Sequence, residues 1–200
     1  MFVRDCWYVA AWDHELTPEA PIGRLIINEP VVVYRAASGT LVALADRCCH
    51  RFAPLSLGRV EGDELRCMYH GLKFDRSGRC TEIPYNNIVP PRARVRAYPA
   101  REINGNVFMW HDPEFGAPDY EIPTLGEYDD PQWVRWETMI RKDIRTVPHE
   151  IIDNVADRAH FPVVHGAGIA EFKNTFIGHK ATQYALNKHE TLAATPGGDL

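Results

Sequence analysis

The sequence predicts an α+β protein, with an all-β domain over residues 1–115 followed by the start of an α+β domain over residues 116–200. Three observations predict it. Short β-type runs divided by turn residues fill the first hundred positions, a Pro- and Gly-rich connector spans Asp112 to Pro131, and a helical pattern follows Pro148.

Taken in order, Leu25-Ile26-Ile27 and Val31-Val32-Val33-Tyr34 flank Asn28-Glu29-Pro30, and the second run leads through Ser38-Gly39 into Leu41-Val42-Ala43-Leu44. These read as antiparallel hairpins. Leu72-Lys73-Phe74 alternates into an Asp75-Arg76-Ser77-Gly78 turn, and Val95 to Tyr98 is expected to pair with Val107-Phe108-Met109-Trp110 across Asn104-Gly105-Asn106. The connector carries Pro113, Gly116, Pro118, Pro123, Gly126 and Pro131, and Trp133 to Ile140 alternates as a strand that opens the second domain. Beyond Pro148, Ile151, Ile152, Val155 and Ala159 recur at helical spacing. That helix is expected to run as far as His160, because Pro162 cannot sit inside it. There is no internal repeat and no low-complexity tract.

Composition narrows the function classes. Of 200 residues, 45% are hydrophobic and 24% charged, which is ordinary for a soluble globular chain. A net charge of -5 with scattered lysines and arginines argues against nucleic acid or an anionic membrane as the main partner. No apolar run has the length of a membrane span, and Met1-Phe2-Val3-Arg4-Asp5 lacks the hydrophobic segment of a secretory signal, so the expected compartment is the cytoplasm. Five cysteines in a reducing compartment imply thiols rather than disulfides.

Chemistry is concentrated in two places. Cys48-Cys49-His50 and Cys67-Met68-Tyr69-His70 form a C-x-H and a C-x-x-H pair, each offering one thiolate and one imidazole. Two Cys and two His can close a zinc site or hold a [2Fe-2S] cluster with two thiolates on one iron and two imidazoles on the other. Zinc fingers usually present Cys-Cys and then His-His, whereas here each pair is mixed and the order repeats. Neutral imidazoles carry less negative charge than thiolates, so a cluster held this way is easier to reduce than an all-Cys one. Each histidine also keeps a second ring nitrogen for an outward hydrogen bond. Cys6, Cys49 and Cys80 remain over, as buried or partly buried thiols.

The second place is Asp157, His160 and His165, a D-x-x-H-x-x-x-x-H pattern. Asp157 and His160 share a helix face, and the break at Pro162 brings His165 back toward them. Two imidazoles beside open positions suit a mononuclear Fe(II) held by two His and one carboxylate. His14, His111, His149, His179 and His189 have no partner at metal spacing and read as ordinary polar residues.

Around the first motif, Cys48-Cys49-His50-Arg51-Phe52-Ala53-Pro54-Leu55-Ser56 and Cys67-Met68-Tyr69-His70-Gly71-Leu72-Lys73-Phe74-Asp75 resemble the two cluster loops of Rieske proteins, and of Rieske non-haem iron oxygenases in particular. The family commonly has Pro where this chain has Cys49; the C-x-H spacing makes Cys48 the ligand. The segment Glu150 to Gln183, with Ala159-His160-Phe161 and Phe172-Lys173-Asn174, is similar to ketosteroid 9α-hydroxylase-type members, whereas the first hundred residues are closer to the aromatic O-demethylases.

The resemblance implies an all-β Rieske [2Fe-2S] domain followed by a helix-grip catalytic domain with an antiparallel sheet, which this chain does not complete. Its cluster ligands would be Cys48, His50, Cys67 and His70. His160 and His165 would bind the mononuclear iron, with a third, carboxylate ligand beyond residue 200, since neither Glu171 nor Asp199 stands in the family's place. Asp157 would be the inter-subunit electron bridge between His160 and the neighbour's His70, in a homotrimer. The implied activity is that of a terminal oxygenase acting on a small hydrophobic ring compound, by hydroxylation, oxidative demethylation or cis-dihydroxylation. It would use O2 as co-substrate and electrons from NAD(P)H through a reductase or ferredoxin. Two other readings stand beside it: a Rieske ferredoxin that carries electrons without catalysis, and a zinc-binding interaction domain.

Overall fold

The computed structural model describes residues 2–18, 20–134, 146–178 and 180–188. The chain divides into two compact units, Met1–Trp136 and Glu137–Leu200.

The first unit is built from short strands: β1 (Cys6–Trp12), β2 (Ile22–Ile26), β3 (Glu29–Arg35), β4 (Leu41–Ala45), β5 (Arg59–Glu61), β6 (Glu64–Arg66), β7 (Lys73–Phe74), β8 (Cys80–Glu82), β9 (Ala97–Tyr98), β10 (Ala100–Ile103) and β11 (Asn106–His111). They form three antiparallel sheets in the orders β1-β11-β10, β2-β3-β4-β9 and β5-β6-β7-β8. The run Val31-Val32-Val33-Tyr34 explains the layering. Successive side chains of a strand point to opposite faces, and all four residues are fully buried, so β3 has core on both sides. Val31 and Val33 pack with Ala10, Ala43, Val107 and Met109. Val32 and Tyr34 pack with Leu44, Leu55, Leu65, Phe74 and the sulfur-bearing Cys48, Cys67 and Cys80. The second cluster therefore ties the cysteines of the opening motif into the hydrophobic core.

Two expected hairpins differ in detail. Glu29 and Pro30 belong to β3, and the chain reverses at Ile27-Asn28, both with positive φ (46° and 66°). A two-residue loop of this conformation matches the strand twist better than the longer turn read from Asn28-Glu29-Pro30. The Asn104-Gly105 turn is where it was expected, but it joins β10 to β11, with Ile103 opposite Asn106. Residues 97 and 98 pair with β4 instead. Pro99 lies between the two segments, and its missing N–H ends one ladder before the next begins.

The second unit contains α1 (Pro148–Ala156), α2 (His160–Val164) and a hairpin of β12 (Ile169–Ile177) and β13 (Lys180–Asn187). Pro148 occupies the first helical turn, where a missing N–H costs nothing. Gln183 Nε2 donates to the Val155 carbonyl at 2.7 Å, satisfying one of the open acceptors at the end of α1. The apolar stripe Ile151, Ile152 and Val155 lines a groove of about 270 Å³ with Phe176 and Ala181. The helix ends sooner than the sequence suggested: Asp157 is already extended (ψ 103°), and α2 starts afresh at His160. The physical reason is Pro162, whose ring would clash with the carbonyl four residues back, at Arg158. A new helix started at His160 places that proline in its first turn. Of the strand expected over 133–140, Trp133 and Val134 are in no strand and the rest lies outside the described residues. Among the described residues, no helix is long and apolar enough to cross a membrane.

Candidate metal centres

The two Cys/His segments fold into the same local structure. The Cys48 amide donates to the Ala53 carbonyl at 2.9 Å and the Phe52 amide to the Cys48 carbonyl at 2.9 Å. In the second loop the Cys67 amide donates to the Leu72 carbonyl at 2.8 Å and the Gly71 amide to the Cys67 carbonyl at 3.1 Å. The bonds fall at identical offsets, and the fifth residue of each loop is left-handed, Phe52 at φ 57° and Gly71 at φ 74°. Glycine adopts that conformation freely, whereas Phe52 is held there against its Cβ.

These loops place Cys48 and Cys67 side by side in the core, each 2% exposed. Burial, with Cys67 alongside, pushes the Cys48 thiol up to about 12. A thiol so placed stays protonated unless a cation draws it into thiolate form. Above them the rings of His50 and His70 lie 4.6 Å apart, His50 exposed and His70 half-buried. Two soft donors inside and two imidazoles outside suit a cluster held two-and-two. Among the described residues no three His, Cys, Asp or Glu side chains gather about one point. Two irons with two protein ligands each require no such gathering. Cys49 is half-buried and packs against the core that holds the two cysteines, and Cys80 is buried within it.

Several neighbours of these loops were not singled out from the sequence. The Tyr69 ring lies against His70, with centroids 3.9 Å apart and planes tilted by 40°. The Tyr85 hydroxyl lies 3.4 Å from His50 Nδ1, and its ring is 6.4 Å from that of His70. Asp46, 8% exposed, accepts from the Ser56 amide at 2.7 Å and the Ser56 hydroxyl at 2.6 Å, closing the base of the first loop. Arg66 Nη1 donates to the Gly71 carbonyl at 2.6 Å within the second. Position gave a hint for Tyr69, which stands inside the motif, and for Asp46 and Arg66, which flank it. Tyr85 carried none.

In the second unit, His160 has Asp157 on one side and His165 on the other at the break between the helices. Asp157 Oδ1 accepts from the Ala159 amide at 2.8 Å, shaping the turn into α2. Its Oδ2 stands 3.8 Å from His160 Nδ1, beyond hydrogen-bond reach, so that this buried nitrogen has no hydrogen-bond partner. The His160 and His165 rings are 5.3 Å apart, one turn of α2 separating them. The buried Nδ1 stands near a carboxylate without bonding to it, and a small shift would give the hydrogen bond that orients a metal-binding histidine. The donor set thus fits an iron that needs further oxygen ligation. Glu171 lies exposed on β12, and Asp199 is outside the described residues. The remaining histidines have other roles: His111 is buried against Glu29 at 3.0 Å, His149 pairs with Asp153 at 3.3 Å and His14 is on the surface. His179 and His189 lie outside the described residues.

Comparison with known proteins agrees with both halves. Residues 6–99 match the Rieske [2Fe-2S] domain, and residues 109–198 match the 3-ketosteroid 9alpha-hydroxylase C-terminal domain. The chain is 45% identical over 166 residues to the iron-sulfur subunit of the toluene-4-sulfonate monooxygenase system of Comamonas testosteroni, covering 82% of this chain and 47% of that one. It is 38% identical to the oxygenase component of a 3-ketosteroid-9-alpha-monooxygenase of Rhodococcus rhodochrous, covering 82% of this chain and 43% of that one. The crystal structure of dicamba monooxygenase bound to 3,6-dichlorosalicylic acid superimposes with a TM-score of 0.73 at 34% identity, over 91% of this chain and 55% of that one. The chain therefore spans about half the length of the relatives it matches. With a Rieske domain followed by ketosteroid-hydroxylase-type sequence, and relatives among both steroid and aromatic oxygenase components, the chain belongs to the Rieske non-haem iron oxygenases.

Proposed function

We propose that the chain is part of the terminal oxygenase component of a Rieske-type system acting on a hydrophobic ring compound, steroid-like or aromatic, by hydroxylation or oxidative demethylation. One observation carries this reading: both donor sets occur in one chain, two buried thiols under two imidazoles and, after residue 150, two imidazoles beside a carboxylate. An electron carrier needs only the first. The apolar groove along α1 supports a hydrophobic substrate, and relatives named as oxygenase components support a separate electron donor, a reductase or ferredoxin drawing on NAD(P)H.

In this reading Cys48, His50, Cys67 and His70 hold the [2Fe-2S] cluster, and the catalytic domain begins after residue 115. His160 and His165 hold the mononuclear Fe(II) with a carboxylate from beyond residue 200. When bound, these groups supply one-electron storage and the activation of O2 against a C–H bond. The chain's own residues orient and insulate them. The buried cysteines keep water from one side of the cluster, while the imidazoles at the surface form its outlet. Asp157 would orient His160 once the two close to hydrogen-bond distance, and would link it to His70 of a neighbouring subunit in a homotrimer, setting the route along which the two centres communicate.

The test uses the full-length enzyme with a reductase and NADH. Asp157→Ala is expected to keep full iron and sulfide content yet lose steroid- or methoxy-aromatic-dependent O2 uptake. Retained product formation would refute the route. Absence of substrate-dependent O2 uptake in the parent enzyme, with an intact cluster spectrum, would favour the electron carrier.

A further inference from the structure

We propose that Arg66 is the positioning residue of the second ligand loop, held in place by a charge ladder across four strands so that one arm of its guanidinium fixes the Gly71 carbonyl. The proposal rests on the reading that this loop carries a cluster ligand.

Across the sheet β5-β6-β7-β8, Arg59 is opposite Arg66, Arg66 opposite Lys73, and Lys73 opposite Glu82. Three adjacent cations in one row repel each other. Glu61 relieves this as a hub, 2.7 Å from Arg59, 2.8 Å from Arg66 and 3.2 Å from Lys73. Glu82 closes the far side at 3.2 Å from Arg66 and 3.3 Å from Lys73. Ion pairs at a surface add little stability each and are screened by salt, so stability alone is a weak account of five charges arranged on four strands.

What the ladder does accomplish is geometric. With Nε and Nη2 engaged by carboxylates, the planar guanidinium has one orientation, and in it Nη1 reaches the Gly71 carbonyl at 2.6 Å. The Arg66 side chain is only 13% exposed. Arg66 and Gly71 bracket Cys67 and His70, so the bond closes a ring around both candidate ligands. From the other side, Pro84 lies against the same glycine, and a Cβ at position 71 would meet Pro84 Cγ at 3.0 Å and Arg66 Nη1 at 3.4 Å. The residue after Pro84 is Tyr85, whose ring approaches both imidazoles. Arg66 thereby fixes the His70 loop between the charged ladder and the Tyr85 segment.

Two variants of the 200-residue chain separate positioning from charge. Arg66→Lys keeps the positive charge but lacks the planar fork. Glu102→Gln, the control, removes a carboxylate from the Arg35–Glu102 ion pair, 2.6 Å apart on strands outside this sheet. Amide hydrogen exchange on metal-free chain reads the loop directly, and the first loop, with the same backbone bonds, is the internal control. Arg66→Lys is expected to speed exchange of Cys67 and Gly71 about tenfold with Cys48 and Phe52 unchanged. In the cluster-loaded chain it should alter the g-values of the reduced cluster and its midpoint potential, whereas Glu102→Gln should move none of these. Parent-like exchange and g-values in Arg66→Lys would overturn the proposal, as would equal loosening of both loops or an equal effect of Glu102→Gln. A parent chain that takes up no cluster would count against the function proposed above, and the exchange experiment would still judge the clamp.

Discussion

Gly71→Ala and Phe52→Gly probe the same loop position in opposite directions. Gly71 sits at φ 74°, where a side chain costs about 1–2 kcal/mol, offset by about 0.4–1 kcal/mol from the smaller entropy of the unfolded chain. The added Cβ would also stand 3.0 Å from Pro84 Cγ, so Pro84 or the loop must yield by a few tenths of an ångström. Overpacking of this kind brings the total to about 2 kcal/mol of destabilisation. Phe52, at φ 57°, is 71% exposed and loses little packing when removed, so relief of its backbone strain leaves a net stabilisation of about 0.5–1 kcal/mol. Urea unfolding of metal-free chain followed by tryptophan fluorescence measures both, because Trp110 is buried in the first unit. If Gly71→Ala lies within about 0.5 kcal/mol of the parent, or Phe52→Gly is the more destabilised variant, the two loops are not equivalent in the way their hydrogen bonds imply.

Cys48→Ser is expected to abolish iron retention and the visible absorption of the cluster, whereas Cys49→Ser should leave both in place; iron analysis of the purified variants decides. Contact with Arg66, then Lys73 and Arg59, holds the Glu61 carboxyl at about 2, below its ordinary 4.5. A carboxyl depressed in the folded state contributes fully above pH 4.5 and loses that contribution as the pH falls toward 2. Glu61→Gln should therefore flatten the acid limb of a stability–pH curve between those limits, and an unchanged limb would show that the hub is not formed in solution. Phe74 is fully buried in the cluster that also contains Cys48 and Cys67, so Phe74→Ala should cost about 3–5 kcal/mol in urea unfolding and reduce iron retention in parallel.

Local patterns in the sequence carried most of the site. The Cys/His pairs are short and self-contained, and their loops close on hydrogen bonds within six residues, so spacing alone singled them out as candidates. The grouping of Asp157, His160 and His165 was also legible, although the route to it differed: Pro162 restarts the helix before His160 rather than ending it after. The Asn104-Gly105 turn was visible, but the strand it serves was not, because Pro99 separates two apolar pairs that look alike in sequence. What spacing could not supply was register across strands. Arg59, Arg66, Lys73 and Glu82 become one row only through three pairings, and Glu61 has no sequence feature marking it as their common partner. Tyr85 reaches the histidines from a loop fifteen residues beyond His70, a distance set entirely by the tertiary fold.

The two ligand loops leave from different sheets, the first following β4 and the second joining β6 to β7. A cluster bound by both would be a covalent cross-link between those sheets, closing a segment of about twenty residues from Cys48 to Cys67. By analogy with a disulfide of that loop length, the restriction on the unfolded chain is on the order of 3 kcal/mol, a large share of the net stability of a small domain. Assembly of the cofactor and consolidation of the two-sheet core would then be a single thermodynamic event. Loss of iron would withdraw that contribution and loosen the tie between the sheets around Phe74 and Leu65, which are buried in the core the two loops share.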